Sequence, residues 1–266
     1  MTAVTIGSAS HPGLRKSVNE DYFDYFPPSE GNAHKKGILL ALADGMGGRR
    51  GGALAAKTAV DILMEEYYKE DVHSIPEALE RAFQKSNQAV MARGRSDPEL
   101  EGMATTLTAV VIKDDRMYYA HVGDSRGYII DQDDISHFTA EHSYVADLVK
   151  AGAITEEQAL THPQANLITR AIGLKAELKI DLCRDYQRLH TDQYILICCD
   201  GLYKVVPDGE ILQTIHEHPD PNAACEHLVA KANAHGGPDN ITILMAKIER
   251  VKAVSGFINR FLSAMR

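Results

Sequence analysis

Short apolar segments separated by brief polar links limit the folds that this chain can adopt. The segments are rich in Val, Ile, Leu, Thr and Tyr and end at Gly, Asp or Asn, which predicts strands at 38–43, 105–112, 117–122, 127–130, 194–199 and 241–248. The links at 113–116 and 131–134 suit hairpins, whereas parallel strands need a crossover of a dozen or more residues. The middle of the chain is therefore predicted to be an antiparallel meander.

Helical segments lie between these strands. They are predicted at 53–68, 77–93, 208–216 and 222–234. In the second, Leu79, Ala82, Phe83 and Val90 fall on one stripe that needs a sheet to cover. Because the strands have few polar positions to face water, we predict two antiparallel sheets packed together with helices outside them.

The charge balance excludes some partners. A formal net charge of −9 over 266 residues argues against nucleic acid, which favours a basic surface. The sequence shows no secretory leader and no membrane-spanning run, so we expect one soluble, cytoplasmic domain. The four cysteines show no paired spacing, and we expect them to be reduced, with Cys198 and Cys199 on opposite faces of a strand.

Acidic residues recur at the strand ends. Asp44, Asp124 and Asp200 each follow a strand, Asp239 stands two residues before the last one, and Asp21 lies near the start. Glycines beside the first four allow tight turns and a close backbone approach. If these ends share one edge of the sandwich, repulsion would drive several carboxylates to take up protons unless cations neutralise them.

The ligand type indicates which metals would bind. Oxygen donors suit Mg²⁺ or Mn²⁺, whereas zinc and copper usually recruit Cys or His, and we expect neither beside these acids. Two such ions about 3.5–4 Å apart can activate a water towards phosphorus. A single Asp-Gly is more often a turn or a helix cap, so spacing alone leaves the metal and turn interpretations evenly balanced.

A set of ordered motifs resembles one family. "KSVNED", "LADGMGG", "GMATTLTAVV", "HVGDSRG", "LITRAIG", "CDGL" and "GGPDNIT" are similar to those of the metal-dependent serine/threonine phosphatases of type 2C (the PPM family), bacterial branch. The resemblance runs from about residue 7 to 248. It implies an α+β fold, a four-layer αββα sandwich of two antiparallel β-sheets flanked by helices. It also implies two Mn²⁺ or Mg²⁺ ions and hydrolysis of phosphoserine or phosphothreonine on proteins, among them a Ser/Thr protein kinase that the enzyme opposes.

The same resemblance implies roles for individual residues. Asp44, Asp200 and Asp239 match metal ligands, Asp21 holds a metal or its water, and the Gly45 carbonyl completes one shell.

Three further positions surround that set. Asp124 matches the acid that, with Asp200, holds a weaker third ion. Glu20 and Asn240 are expected to contact the ligand residues rather than the ions and to hold those residues in place.

Two departures concern the substrate. Where the family usually has an Arg to grip the phosphate, this chain has Lys16 preceded by Arg15. Lys offers a point charge without the bidentate fork of Arg, so either Lys16 binds less rigidly or Arg15 reaches in, or both are solvated surface cations. Met46 stands where eukaryotic relatives carry a His proposed to protonate the leaving group, so the general acid is unassigned.

Residues 1–249 are taken as the catalytic domain, with a flap at about 139–174 beside the metals. His142 and His162 in the flap are interpreted as surface residues outside the site. The segment 250–266 is predicted to be a basic amphipathic helix that docks on the domain, on a membrane surface or on a partner helix.

Other functions fit less well. "GDSRG" matches a serine-hydrolase elbow with Ser125 as nucleophile, but that elbow needs a following helix and a strand is predicted instead. A cysteine phosphatase would need Cys, five residues and Arg, whereas Cys198 is followed by Lys204. The remaining alternative is a non-catalytic module of the same fold that binds phosphoproteins.

Overall fold

The computed structural model describes residues 2–26, 36–46, 51–69 and 74–251. The predicted C-terminal helix at 250–266 lies outside the described residues from 252 onward, and it stays a prediction. No helix within the described ranges combines the length and the apolarity needed to cross a bilayer.

Two antiparallel sheets form the centre of the molecule. The first has the strand order β1-β13-β12-β8-β9. Its strands are β1 (Ala3–His11), β8 (Arg126–Ile130), β9 (Ile135–His137), β12 (Tyr194–Cys198) and β13 (Ile241–Arg250). The second has the order β10-β7-β6-β3-β2, with β11 also paired to β7. Its strands are β2 (Tyr22–Tyr25), β3 (Ile38–Ala43), β6 (Leu107–Lys113), β7 (Arg116–Val122), β10 (Asp181–Leu182) and β11 (Gln187–Arg188). A two-stranded ladder joins β4 (Gly45–Met46) to β5 (Ala104–Thr105).

Helices cover both outer faces and form the flap. They are α1 (Gly52–Tyr67), α2 (Ile75–Ser96), α3 (Tyr144–Lys150), α4 (Glu156–Leu160), α5 (Asp200–Tyr203), α6 (Asp208–Glu217) and α7 (Pro221–Ala234), with a 3₁₀ turn at Pro98–Leu100. Ser74 begins α2 by accepting a hydrogen bond from the Glu77 N–H, and Pro76 fits the first turn, where no N–H is needed.

Three apolar cores separate the four layers. One lies between α1, α2 and the second sheet, with Phe83 and Leu63 fully buried. Another lies between α6, α7 and the first sheet and includes the fully buried Leu228. The third fills the space between the sheets and includes Leu42 and Ile197. The four-layer αββα sandwich expected from the sequence is thereby confirmed.

The predicted elements agree with the observed ones to within a few residues. β6 and β7 form a hairpin whose turn places Asp114 at φ 54°, and β8 and β9 form another. Strand β1 was not predicted, because its sequence AVTIGSASH is dominated by small and polar residues, yet it pairs with β13 along its whole length at the sheet edge. Cys198 faces the outer core and Cys199 the central core, as their adjacency in a strand predicts.

Candidate metal centre

The strand ends bring five distant aspartates to one edge of the sandwich. Asp21 precedes β2, Asp44 follows β3, Asp124 follows β7, Asp200 begins the turn after β12, and Asp239 precedes β13. The charges of the other four all act on Asp44. Residues separated by more than 200 positions therefore form one carboxylate cluster, as the sequence analysis expected if the strand ends shared an edge.

Asp44 is held rigidly through its backbone. Its N–H donates to the Thr106 Oγ1 at 2.8 Å, and its carbonyl accepts from the Thr105 Oγ1 at 2.8 Å and from the Thr106 N–H at 2.9 Å. Burial, together with the neighbouring carboxylates, raises the pKa of Asp44 well above its ordinary value. The side chain is thus fixed in a place where its own negative charge is unfavourable.

Asp21 and Asp124 carry buried carboxylate oxygens that accept no hydrogen bond of normal geometry from the described residues. These atoms are both oxygens of Asp21 and Oδ1 of Asp124, and the two residues are only 9% and 4% exposed. Burial, and then the charges of Asp200 and Asp239, raise the pKa of Asp21 to about 6. Thr242 and Cys199 lie close enough to Asp21 to lower its pKa in part. Burial and Asp200 raise the pKa of Asp124 to about 7.

This donor set fits hard divalent cations. Buried polar atoms are normally paired, and a buried carboxylate without a partner is costly. Divalent ions would supply both the partner and the compensating charge, and oxygen donors suit Mg²⁺ or Mn²⁺.

One expectation about this cluster was wrong. We expected no Cys beside the acids, but Sγ of Cys199 and carboxylate oxygens of Asp21 and Asp44 all lie within 4.8 Å of one another. The thiol is already engaged, since it donates to the Asn240 carbonyl at 3.2 Å and accepts from the Thr242 N–H at 3.0 Å. Burial, and then the nearby carboxylates, raise its pKa well above the ordinary value, which favours the neutral thiol.

Gly45 leaves no room for a side chain. Its N–H donates to the Glu20 carbonyl at 3.2 Å, and it pairs with Thr105 in the β4–β5 ladder. A Cβ at this position would lie 2.5 Å from the Glu20 carbonyl oxygen and equally close to the backbone of Gly52. The glycine therefore permits the close approach of three backbone segments next to Asp44.

Asn240 fastens the N-terminal loop to the last strand. Its Oδ1 accepts from the Glu20 N–H at 2.9 Å, and its Nδ2 donates to the carbonyls of Pro12 at 3.0 Å and Val18 at 2.9 Å. The side chain is buried, and these three hydrogen bonds all hold the same N-terminal loop. Burial raises the pKa of Glu20, and Lys16 opposes that shift.

Lys16 and Arg15 behave differently. Nζ of Lys16 lies 2.8 Å from Oδ1 of Asp239, and both side chains are nearly half exposed. That hydrogen bond, against the effect of burial, raises the pKa of Lys16. Arg15 is exposed and has no hydrogen bond or ion pair with another residue in the described ranges. The structure thus brings Lys16 to the carboxylate cluster and leaves Arg15 outside it.

His142 is not the surface residue that we expected. It is 3% exposed, its Nδ1 accepts from the Gly123 N–H at 3.1 Å, and its Nε2 lies 3.1 Å from Asp181 and 3.0 Å from Arg170. Its ring packs against that of His121 at a tilt of 32°, with centroids 5.0 Å apart. This histidine anchors the start of the flap to the end of β7, and sequence patterning around a polar loop gave no signal of it.

Ser125 is not a nucleophile elbow. Strand β8 follows it directly, and its buried hydroxyl shares a hydrogen bond of 2.9 Å with the Thr106 hydroxyl. The expectation that a strand follows "GDS" is confirmed, and the serine-hydrolase interpretation is excluded by it.

Sequence reasoning missed one cation at the cluster. Nζ of Lys204 lies 2.6 Å from Oδ2 of Asp200 and 2.9 Å from Oδ1 of Asn166 in the flap. The i, i+4 spacing of Lys204 from Asp200 was the available signal.

Comparison with known proteins agrees with this geometry. The family model described as "Protein phosphatase 2C" matches residues 14–230. The serine/threonine phosphatase stp of Listeria innocua is 33% identical over 239 residues, covering 88% of this chain and 92% of that protein.

Solved structures are similar over the same range. The S. agalactiae serine/threonine phosphatase has a TM-score of 0.83 and 34% identity, covering 93% of this chain and 100% of that chain. The catalytic domain of the serine/threonine protein phosphatase PstP, solved in complex with two manganese ions, has a TM-score of 0.78 and 31% identity, with 93% and 99% covered.

Proposed function

This chain belongs to the protein phosphatase 2C family, and we propose that the carboxylate cluster at the edge of its sandwich is the active site. The enzyme is a metal-dependent serine/threonine protein phosphatase. The observation that carries this proposal is the cluster of five aspartates, in which the two buried carboxylate oxygens of Asp21 accept no hydrogen bond of normal geometry from the described residues.

We assign the metal ligands as the sequence analysis did. Asp44, Asp200 and Asp239 would hold two ions, with Asp21 and the Gly45 carbonyl completing their surroundings, and Mn²⁺ or Mg²⁺ as the ion. When bound, the ions supply an activated water and mask the charge of the phosphate oxygens. The sequence analysis also predicted that Asp124, with Asp200, holds a third ion, and the position of the Lys204 ammonium 2.6 Å from Asp200 bears on that prediction.

The remaining groups of the chain bind and position the substrate. Lys16 places its ammonium 2.8 Å from Asp239 and is the better candidate for binding the substrate phosphate, since Arg15 makes no contact with the cluster among the described residues. A point charge attracts the phosphate dianion without fixing its orientation, so the grip is looser than that of a bidentate Arg. Asn240 and Glu20 hold the loop that carries Lys16.

The substrate class is phosphorylated protein. We propose that a Ser/Thr protein kinase is among the substrates and that the enzyme opposes it. We also propose a cytoplasmic location, which the four unpaired cysteines support because thiols stay reduced there. A contact of residues 250–266 with a membrane surface or a partner helix is a further proposal from their amphipathic pattern.

The non-catalytic alternative is not retained. A binding module would have no need for a cluster of buried carboxylates whose pKa values are raised, and the similar proteins are named as phosphatases.

Phosphate release from p-nitrophenyl phosphate tests the assignment. We expect Mn²⁺-dependent release by the wild type and a loss of at least about a hundredfold in Asp200→Ala and Asp239→Ala, since each removes a ligand that nothing else replaces. Asp61→Ala, which removes an exposed aspartate on α1, is the control and should keep full activity. Full activity in both ligand variants would refute the site.

A further inference from the structure

Lys204 places a fixed positive charge inside the carboxylate cluster. Its Nζ lies 2.6 Å from Oδ2 of Asp200, and its charge also acts on Asp124. The side chain is one-third exposed, whereas the surface pair Lys57–Asp61, with the same i, i+4 spacing, is about half exposed at both ends. Lys204 therefore faces the two aspartates that are predicted to hold a third ion.

The ammonium is also bonded to the flap. Oδ1 of Asn166 accepts from it at 2.9 Å, so one cation joins the turn after β12 to a segment 38 residues away in sequence. The neighbouring Tyr203 contributes a second contact, since its hydroxyl donates to the Asp124 carbonyl at 3.0 Å. Tyr203 thus holds the backbone of Asp124, while Lys204 beside it holds the carboxylate of Asp200.

Arg126 pairs with the flap residue Glu141 at 3.3 Å rather than with Asp200. Within the described residues, the cation that contacts the Asp200 carboxylate is Lys204.

We propose that the Lys204 ammonium is a resident cation of this centre, which occupies the place of a third divalent ion between Asp200 and Asp124 and ties the flap through Asn166. The inference rests on the proposed two-ion site. A divalent ion sharing the same Asp200 oxygen would lie within a few ångströms of the ammonium, where like charges repel strongly under partial burial. We therefore expect this chain to bind two exchangeable ions rather than three.

Counting bound ions tests the proposal without measuring activity. Metal-stripped protein is titrated with Mn²⁺, and the ions per chain are counted by calorimetry and native mass spectrometry. We expect two ions in the wild type, two in Lys204→Arg, and a third in Lys204→Met, bound at least about tenfold more tightly than any third ion of the wild type. Lys69→Met, at the far end of α1, removes an exposed paired lysine and should leave the count at two.

A third ion bound equally by the wild type and by Lys204→Met would overturn the proposal, and so would two ions in both. Fewer than two ions in the wild type would overturn the proposed function and this inference with it. If Lys204→Met does not fold, Asp124→Asn decides, since it should keep two ions when the ammonium fills the place. Loss of an ion in Asp124→Asn would contradict the proposal.

Limited proteolysis tests the connection to the flap. Lys204→Met and Asn166→Ala should both be cleaved faster within 139–174, while the ion count of Asn166→Ala stays at two. An unchanged cleavage rate in both variants would overturn the role of Lys204 in holding the flap.

Discussion

The metal-free enzyme should lose stability as pH rises, and Asp21 should account for a measurable part of the loss. Its pKa is about 6 in the folded chain, against an ordinary value of 3.8, because of burial and then the charges of Asp200 and Asp239. The folded state therefore binds a proton more tightly than the unfolded state does. The stability contributed by that proton is fully present below about pH 3.8 and is lost as pH rises through about 6.

The magnitude follows from the shift. The difference of about 2 pKa units corresponds to about 3 kcal/mol over the whole titration, at about 1.4 kcal/mol per unit. Since pH 5 lies about one unit below the folded pKa, the part lost between pH 5 and pH 8 is about 1.4 kcal/mol.

Urea unfolding of metal-stripped protein measures the effect. Unfolding is followed by far-UV circular dichroism at pH 5 and pH 8, because the chain has no tryptophan to report by fluorescence. The pH-dependent loss should be about 1.4 kcal/mol smaller in Asp21→Asn than in the wild type. In the control Asp61→Asn, which changes an exposed carboxylate, the loss should equal that of the wild type.

Added Mn²⁺ should offset part of this loss, and should do so more strongly where the proposed ligand Asp21 is intact. At pH 8 the ion should raise the free energy of unfolding of the wild type more than that of Asp21→Asn, because binding to the folded state stabilises it. An equal pH-dependent loss in the wild type and in Asp21→Asn would refute the assignment of a raised pKa to Asp21.

Three further variants test other parts of the site. Asn240→Ala removes three hydrogen bonds from the loop that carries Lys16. It should lower the free energy of unfolding, measured by urea titration, by about 1–3 kcal/mol, and weaken Mn²⁺ binding, measured by calorimetry, by about 10–100-fold. In steady-state kinetics, Lys16→Ala should raise KM for a phosphopeptide at least about tenfold, while Arg15→Ala should leave KM nearly unchanged. The reverse ranking would assign phosphate binding to Arg15. Gly45→Ala should abolish Mn²⁺ binding measured by calorimetry, because its Cβ would press on the backbone beside Asp44, and wild-type affinity would contradict the close approach.

The positions of the three main candidate ligands could be predicted because each stands at the end of a strand that its apolar run reveals. β3, β12 and β13 are apolar along nearly their whole length, so their ends could be located, and Asp44, Asp200 and Asp239 stand at those ends. What residue spacing could not supply was that these ends meet, and the ordered family motifs supplied it.

The missed features depend on contacts between distant segments. His142 lies in a polar stretch, and its burial results from packing against His121 and bonding to the Gly123 N–H. The prediction of Cys199 as a core thiol is confirmed. Its distance to Asp21, however, depends on how the two sheets pack against each other. A pattern confined to one segment carries no information on either distance.

The hydrogen bonds around the site explain how a chain can hold acids together before a metal binds. Asp44 is fixed by the hydroxyls and N–H of Thr105 and Thr106, and Asn240 fixes the entering loop, so none of these contacts requires an ion. The cost of gathering the charges is lowered instead by protonation, which the raised pKa values of Asp21 and Asp124 indicate. Binding of the proposed ions would then displace protons from a site that is already assembled, so affinity for Mn²⁺ should rise with pH while the fold changes little.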